Sequence, residues 1–293
     1  MIWQAGRFDI DLSRPRVMGI VNVTPDSFSD GDPSLTPARA IATCERLLKE
    51  GAHLLDLGGE SSRPGAEPVS VEAELARLLP VLRAAVTLGC PVSVDTNKPE
   101  VMRVVLDLGA DIVNDIGALR LPGALEVVAA HPSCGMCLMH MRGTPRSMQA
   151  EAVYDDVVAD VVAFLREQVG RVTGAGVDAG RIVVDCGIGF AKDVAQNLQL
   201  LARHVELLQV GRPVLAGWSR KSSLARVIGL GDVPRAQRTP TQLAALDAAS
   251  AVAAVLAVQR GASILRVHDV AATVAALAVA QAATLPPPIS MAP

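Results

Sequence analysis

The feature of this 293-residue chain that most constrains its fold is a regular alternation of short apolar segments with longer segments of helical periodicity. Strands buried on both faces in a parallel sheet are apolar throughout, as these eight short segments are. Alternation sustained over ~250 residues favours a single-domain α/β fold, the (β/α)8 TIM barrel, over an open sheet. The predicted strands are 17–23, 53–57, 91–94, 111–113, 136–139, 181–184, 213–216 and 263–265.

Each predicted helix follows a strand and shows apolar residues at helical spacing. No G-x-G-x-x-G motif follows the first strand, which argues against a dinucleotide-binding open sheet. The barrel is predicted to occupy residues 1–285, and residues 286–293, rich in proline, are predicted to be a disordered tail. The predicted helices are 37–50, 71–88, 98–108, 122–130, 151–173, 195–208, 241–260 and 270–283.

Composition excludes several classes of partner. The net charge of −3 and the pI of about 6.0 indicate no basic surface for nucleic acid or an anionic membrane. We expect no membrane span, because Gln259, Arg260 and Gln281 interrupt the alanine-rich segments near 248–258 and 270–283. Five cysteines, an odd number in a chain of this size, do not indicate a disulfide framework, so a reduced, cytoplasmic location is expected.

Polar residues stand at the carboxyl ends of the predicted strands. In a (β/α)8 barrel these ends share one face, which holds the active site. Although a polar residue at a single strand end is most often a turn former, eight such ends place carboxylates, amides and cations around one cavity. Such groups suit a flat, nitrogen-rich ring that carries a phosphate. The residues concerned are Asn22, Asp56, Asp95, Asn114, His140, Asp185, Lys221, Arg266 and His268.

Eight segments at these strand ends resemble the signatures of dihydropteroate synthases, in order, between about residues 15 and 283. A single S-R-K or G-x-G-F motif would be weak, but eight in order are specific. The segments are MGIVNVTPDSFSDG (18–31), LDLGGESSRPGA (55–66), VSVDT (92–96), VNDIGAL (113–119), MHMRGTP (139–145), DCGIGFAK (185–192), SRKS (219–222) and RVHDV (266–270).

The resemblance implies an enzyme of folate biosynthesis that condenses (7,8-dihydropterin-6-yl)methyl diphosphate with 4-aminobenzoate, releasing diphosphate. It implies Mg²⁺ as cofactor with Asn22 as a ligand, diphosphate departure before attack by the amine, sensitivity to sulfonamides as a family property, and a homodimer formed through the last helices. Loops 24–33 and 58–68, rich in Gly, Pro, Ser and Asp, are predicted to be mobile lids over the second substrate.

The resemblance also implies the role of each site residue. Those expected to act in catalysis are Arg63, Asp95, Asp185 and Lys221. Those expected to hold the pterin diphosphate are Asn22, Ser62, Asp95, Asn114, Asp185, Lys221, Arg266 and His268. Those expected to line the aminobenzoate pocket are Ser62, Arg63, Pro64, Phe190, Lys221 and Ser222.

Three residues depart from the commonest family pattern. Ser62 stands in place of threonine, Cys186 in place of proline and Ala191 in place of glycine. We interpret Cys186 as a tolerated small residue rather than a reactive thiol. None of the three changes removes a charged group, so activity is expected.

Other interpretations remain open at this stage. One is a pterin-binding methyltransferase barrel that passes a methyl group to a corrinoid protein, although it would not need the TPDSFSDG and ESSRPGA loops. Another is a catalytically silent pterin-binding barrel, although Arg63, Asp95 and Lys221 are all present. A third makes Lys221 the Schiff-base lysine of an aldolase.

A cluster of histidine and cysteine residues invites a zinc interpretation. His131, Cys134, Cys137 and His140 recur every three residues. Cys137 and His140 are three residues apart on or next to one strand, and odd offsets point to opposite faces. We therefore interpret the four as core thiols and a strand end.

Overall fold

The computed structural model describes residues 1–23, 37–63 and 65–284. Its first two strands, β1 (Ile2–Ala5) and β2 (Phe8–Asp11), pair as an antiparallel hairpin. The other strands are β3 (Arg16–Asn22), β4 (Leu54–Gly58), β5 (Val92–Asp95), β6 (Ile112–Asp115), β7 (Gly135–Met139), β8 (Ile182–Asp185), β9 (Val214–Ala216) and β10 (Ala262–Val267). These eight are parallel and close into a barrel in the order β10-β3-β4-β5-β6-β7-β8-β9, which confirms the predicted (β/α)8 fold.

Helices surround the barrel and bury one face each. In the first of them, Ala40, Cys44 and Leu47 are buried at the spacing of a helix stripe. The helices of the described residues are α1 (Pro37–Lys49), α2 (Val71–Ala85), α3 (Pro99–Asp107), α4 (Ala124–Ala130), α5 (Val157–Gly174), α6 (Val194–Ala202), α7 (Ser222–Val227), α8 (Pro240–Gln259) and α9 (Val270–Thr284).

Two predicted helices differ clearly from the structure in their bounds, and one helix was not predicted. The helix predicted over 151–173 begins at Val157, because the Asp156 side chain caps it by accepting from the N–H groups of Val158 and Ala159. The helix predicted over 195–208 ends at Ala202, and a 3₁₀ helix, His204–Val210, follows. Helix α7 was not predicted, since six residues are too few for a periodic signal.

The N-terminal hairpin, also not predicted, closes the lower end of the barrel, which is the end formed by the amino termini of the strands. Trp3 is fully buried, and its indole Nε1 donates to the carbonyl oxygen of Arg181 at 2.9 Å. The apolar residues of the hairpin pack on a layer of inward-facing side chains at the lower end of the strands. That layer consists of Met18, Leu54, Ile112, Cys137, Val183, Leu215 and Ile264.

The position of the polar residues follows from the two-residue period of a strand. Side chains two residues apart point to the same face. On four of these strands, the next inward-facing position, two residues beyond the apolar layer, is polar. These positions carry Asp56, Asn114, Asp185 and Arg266. All but Arg266 are buried, so the upper layer of the barrel interior is polar and forms the floor of a site at the carboxyl ends of the strands.

Helix α8 is long and apolar enough, by length and composition alone, to cross a membrane. The sequence itself predicts no such segment, because of the polar residues that follow it. In the structure α8 is an outer helix of the barrel that packs against β10 and α9. Two predictions, the tail at 286–293 and the lid at 24–33, lie outside the described residues.

Candidate active site

A cavity of about 430 Å³ opens at the carboxyl ends of the strands. Asn114 and Asp185 are buried beneath its lining, at 6% and 7% exposure, and Pro64 lies outside the described residues. Asp56 and His140, also predicted around one cavity, do not line it. The other predicted site residues do: Asn22, Ser62, Arg63, Asp95, Phe190, Lys221, Ser222, Arg266 and His268.

Arg266 ties the polar floor together. Its Nε donates to Asp56 Oδ2 at 2.5 Å and its Nη2 donates to Asp95 Oδ2 at 2.7 Å. Asp56 also accepts from Ser93 Oγ at 2.6 Å and from Asn114 Nδ2 at 3.3 Å. Because charge-assisted bonds to two carboxylates fix the guanidinium plane, Arg266 is a rigid part of the floor.

Burial shifts the pKa values of the groups in the floor toward neutrality. It raises the pKa of the Asp95 carboxyl to about 7, although Arg266 acts in the opposite direction. It also raises the pKa of Asp185, against the hydrogen bond from the Gly187 N–H at 2.7 Å. It lowers the pKa of Lys221 to about 8, opposed by the charge of Asp185. The site can therefore change its charge within about one pH unit of neutral.

A strained turn places Lys221 in the cavity. Arg220 has a left-handed φ of +56°, which is costly for a residue with a side chain. Its guanidinium binds both oxygens of Asp247, at 2.6 and 2.8 Å, and its N–H donates to Ser250 Oγ at 3.0 Å. The next residue, Lys221, lies with its ammonium 4.5 Å from the centre of the Phe190 ring, a cation–π contact.

His268 is oriented by Ser219. The Ser219 hydroxyl accepts from the backbone N–H of His268 at 3.0 Å and lies 3.0 Å from its Nδ1. If the hydroxyl donates to Nδ1, the neutral imidazole carries its proton on Nε2; if it accepts from Nδ1, the proton lies on that nitrogen. Both residues line the cavity, where the ring can meet an anion.

The β4–α2 loop, which carries Ser62 and Arg63, is anchored by the half-buried Lys98. Lys98 Nζ donates to Glu60 and, at 2.5 Å, to the fully buried Glu74. The other oxygen of Glu60 accepts from the loop's backbone at 3.1 Å. Sequence reasoning missed Lys98 and Glu74, because no local pattern shows that residues 24 positions apart meet.

A second cavity of about 360 Å³ lies on the other side of this loop. It shares Ser62 and Asp95 with the first cavity, and Ile116, Leu121 and Pro145 give it a largely apolar wall. The two cavities therefore meet at Ser62 and Asp95, both of which are predicted to contact the pterin diphosphate.

Arg238 lines the first cavity and was also missed. Its Nε is buried without a hydrogen-bond partner among the described residues. It precedes α8 in a polar connection far from any strand end, where no sequence signal marks it. This guanidinium adds positive charge and an N–H donor for an anionic ligand.

The prediction that His140 points into the site is wrong. Met139 takes the inward position, so the next residue points outward. His140 is buried, its ring packs edge-on against Phe164 at 4.8 Å, and its Nδ1 lies 2.9 Å from Lys192 Nζ. The described residues contain no cluster of three His, Cys, Asp or Glu residues able to hold a metal ion.

Two of the three departures from the family pattern have a structural account. Cys186 is fully buried and burial raises the pKa of its thiol, which agrees with an inert small residue. Ala191 has a left-handed φ of +50°, a conformation that glycine adopts without strain. The Tyr154 hydroxyl donates to the Ala191 carbonyl at 2.8 Å and helps to hold that turn.

The closed barrel and the polar cavity at its carboxyl end define a pterin-binding (β/α)8 enzyme. The family model described as pterin binding enzyme matches residues 18–268. The dihydropteroate synthase of Neisseria meningitidis serogroup C is 46% identical over 279 residues, which cover 94% of this chain and 95% of the relative. That of Escherichia coli K12 is 44% identical over 274 residues and 93% of each chain.

Solved structures agree. Xanthomonas albilineans dihydropteroate synthase with 4-aminobenzoic acid superposes with a TM-score of 0.85 at 50% identity, over 95% of this chain and 96% of that one. The Burkholderia cenocepacia enzyme complexed with 7,8-dihydropteroate gives 0.83 at 46% identity, over 96% of both. The chain belongs to the dihydropteroate synthase family, whose members are transferases.

Proposed function

We propose that this enzyme condenses (7,8-dihydropterin-6-yl)methyl diphosphate with 4-aminobenzoate to give 7,8-dihydropteroate and diphosphate. The observation that carries the proposal is the composition of one cavity. Buried carboxylates form its floor, Lys221 and Phe190 one wall, and Asn22 and His268 another. These walls match the three parts of the reaction: a ring with N–H donors, an aromatic amine and a diphosphate.

The pterin ring would bind at the floor. Asp185 would accept from the ring's amino group and adjacent N–H, and Lys221 would donate to the carbonyl side. Asn114, fixed by its bond to Asp56, would meet the ring edge. Asn114 and Asp185 are buried, which excludes water and strengthens their hydrogen bonds to the ring.

The diphosphate would lie toward the ends of β3 and β10. His268, with its proton on Nε2, would donate to a phosphate oxygen, and Arg266 and Arg238 would supply positive charge. Asn22 at the end of β3 offers one amide oxygen. Mg²⁺ takes oxygen ligands and is commonly held by few protein groups together with substrate phosphates, so this donor set fits it.

The reaction we propose begins with heterolysis of the bond between the pterin methylene carbon and the diphosphate oxygen. The electron pair leaves with the diphosphate, whose charge the cations of the site stabilise. A Mg²⁺ held by Asn22 and the phosphate oxygens would act there as an additional Lewis acid. The ionised Asp95 carboxylate stabilises the resulting pterin-methyl cation, which the electron-rich ring delocalises. The aminobenzoate nitrogen then forms the C–N bond and loses a proton, without a covalent enzyme intermediate.

Aminobenzoate would enter last, between the β4–α2 loop and the Phe190 wall. Ser62, Arg63, Pro64 and Ser222 would complete its pocket, with Arg63 and Ser222 toward the carboxylate. Because the Yersinia pestis relative has been solved with a sulfonamide drug, we propose that sulfonamides compete for this pocket.

We further propose a homodimer and a cytoplasmic location. Val252 on α8 and Val279 on α9 are 59% and 71% exposed on neighbouring helices, an apolar surface suited to a second copy. The five cysteines are free and buried, which suits a reducing compartment.

Diphosphate release tests the proposed function. The purified enzyme with Mg²⁺ and the pterin diphosphate should release diphosphate rapidly only when 4-aminobenzoate is added. Binding of the pterin without release would favour a silent barrel. Methyl transfer to a corrinoid protein from a methylated pterin would favour the methyltransferase.

A further inference from the structure

Lys192 is a buried lysine that the reaction above does not use. It is 3% exposed, and it takes part in none of the ion pairs found in the described part of the chain. Its ammonium donates instead to the carbonyl oxygens of Gly187 at 3.0 Å and Phe190 at 2.9 Å, and meets His140 Nδ1 at 2.9 Å. Burial of the charge is costly and lowers the pKa of Lys192 to about 7, and the three hydrogen bonds to its ammonium offset part of that cost.

The hydrogen bond to Gly187 connects Lys192 to Asp185, the carboxylate proposed to bind the pterin. The N–H of Gly187 donates to Asp185 Oδ1 at 2.7 Å, while its carbonyl accepts from Lys192. Gly187 has a φ of +68°, and a Cβ there would overlap the backbone carbonyl of His140. The peptide groups of this tight turn are thus held on one side by the carboxylate and on the other by the ammonium.

The hydrogen bond to Phe190 connects Lys192 to the residue whose ring lines the cavity. The carbonyl of Phe190 accepts from Lys192, and its ring lies 4.5 Å from the ammonium of Lys221. The neighbouring Ala191 has a left-handed backbone whose carbonyl is held by Tyr154. The turn that presents the ring is therefore strained and depends on these bonds for its shape.

We propose that Lys192 is a positioning residue that fixes Asp185 and Phe190 relative to each other. The geometry of the pterin and aminobenzoate subsites would then depend on one buried ammonium. The proposal rests on the proposed function and names a residue beyond it. Lys192 touches neither substrate; it acts through the backbone of residues 187 and 190.

A lysine suits this task because its ammonium has three N–H donors and three acceptors lie within 3.0 Å of it, with the His140 carbonyl oxygen a fourth at 3.5 Å. His140 can serve as the third, since burial and the charges of Lys192 and Arg142 lower its pKa to about 2 and keep Nδ1 free to accept. Methionine would fill the space but leave the three acceptors without a donor.

The chain supplies a matched control at the other end of the same strand. Arg181, at the base of β8, is also a buried cation that donates to backbone carbonyls, those of Cys134 at 2.7 Å and Val128 at 3.1 Å. Arg181→Met should lower thermal stability as Lys192→Met does. Because Arg181 lies at the end of the barrel opposite the cavity, this variant should leave substrate binding unchanged.

The experiment compares wild type, Lys192→Met and Arg181→Met for their melting temperatures, the Kd of the pterin diphosphate by calorimetry, and the aminobenzoate KM. We expect Lys192→Met to raise both the Kd and the KM at least tenfold per folded molecule and Arg181→Met to change each less than twofold. A Kd and KM within twofold of wild type for Lys192→Met, with only the melting temperature lowered, would overturn the proposal.

A second variant covers the case in which Lys192→Met does not fold. Lys192→Gln keeps a side-chain N–H donor but no charge, and the same thresholds apply to it. The proposed function is tested by the wild type in the same assay. If the wild type binds no pterin and forms no product, the proposed function fails and this proposal fails with it. If the wild type is active and the Lys192 variants have the same Kd and KM as the wild type, only the role of Lys192 fails.

Discussion

Arg266 and Asp95 form an ion pair in the mouth of the barrel, Nη2 to Oδ2 at 2.7 Å, although 171 residues separate them in the chain. The pair keeps a buried carboxylate next to the place where the substrate's methylene carbon would lie. The opposing effects of burial and Arg266 leave the pKa of Asp95 at about 7.

The first prediction concerns pH. Asp95 takes up a proton as the pH falls through about 7, and Lys221 loses its charge as the pH rises through about 8. The form with both the ionised carboxylate and the ammonium is most populated between these values, so kcat/KM should be bell-shaped with a maximum there. Asp95→Asn should be slow and lack the acid limb, and an unchanged acid limb in that variant would contradict the assignment.

The second prediction concerns pterin affinity. Asp185→Asn replaces an ionised acceptor by an amide, and two charge-assisted bonds to the ring are lost or reversed. Since such a bond is worth about 1.5–3 kcal/mol, the Kd of the pterin diphosphate should rise about 100-fold or more. Calorimetry measures it directly, and an unchanged affinity would refute the role given to Asp185.

The third prediction separates the two substrates. Arg63→Ala should raise the aminobenzoate KM about tenfold or more, as expected for one lost charge-assisted bond, and leave the Kd of the pterin diphosphate within twofold. Steady-state kinetics and calorimetry on one preparation give both values. Weaker pterin binding would show that the two pockets have been placed wrongly.

The fourth prediction concerns the orientation of His268. Ser219→Ala should raise the Kd of the pterin diphosphate roughly fivefold or more, because loss of the hydroxyl removes its contacts with the N–H and the Nδ1 of His268. Ser219→Thr keeps the hydroxyl and serves as the control. In ¹⁵N spectra the Nε2–H tautomer of wild-type His268 should give way to a mixture in Ser219→Ala, and an Nδ1–H tautomer in wild type would exclude the proposed arrangement.

The fifth prediction concerns stability at the opposite end of the barrel. Trp3→Ala removes a fully buried ring and its bond to the Arg181 carbonyl, which should cost about 3–5 kcal/mol of unfolding free energy. Urea unfolding measures this cost. Substrate affinity of the folded variant should not change; a loss below about 1 kcal/mol would mean that the hairpin does not seal the barrel.

The sequence predicted the barrel and its floor because both depend on local periodicity. Apolar strands in alternation with helices specify the fold, and the two-residue strand period places Asp56, Asn114 and Asp185 on one inner face. The same period explains the error at His140, which lies one residue from the inward position. A strand end identifies the neighbourhood of a side chain but not the face to which it points.

What sequence reasoning missed depends on contacts between distant residues. The ion pairs of Lys98 with Glu74 and of Arg266 with Asp56 join elements far apart in the chain. The hairpin around Trp3 has four-residue strands that are too short for a periodic signal and are stabilised only by the barrel above them. Such features become visible only when the fold brings the partners together.

The measurement that tests the central claim most directly is mass spectrometry of the product made from ¹⁵N-labelled 4-aminobenzoate. Purified enzyme, the pterin diphosphate, the labelled amine and Mg²⁺ are incubated together and with each component omitted in turn. We expect 7,8-dihydropteroate that carries the label, formed in the complete mixture and absent without enzyme or either substrate. Bound pterin without labelled product in the complete mixture would contradict the proposed function.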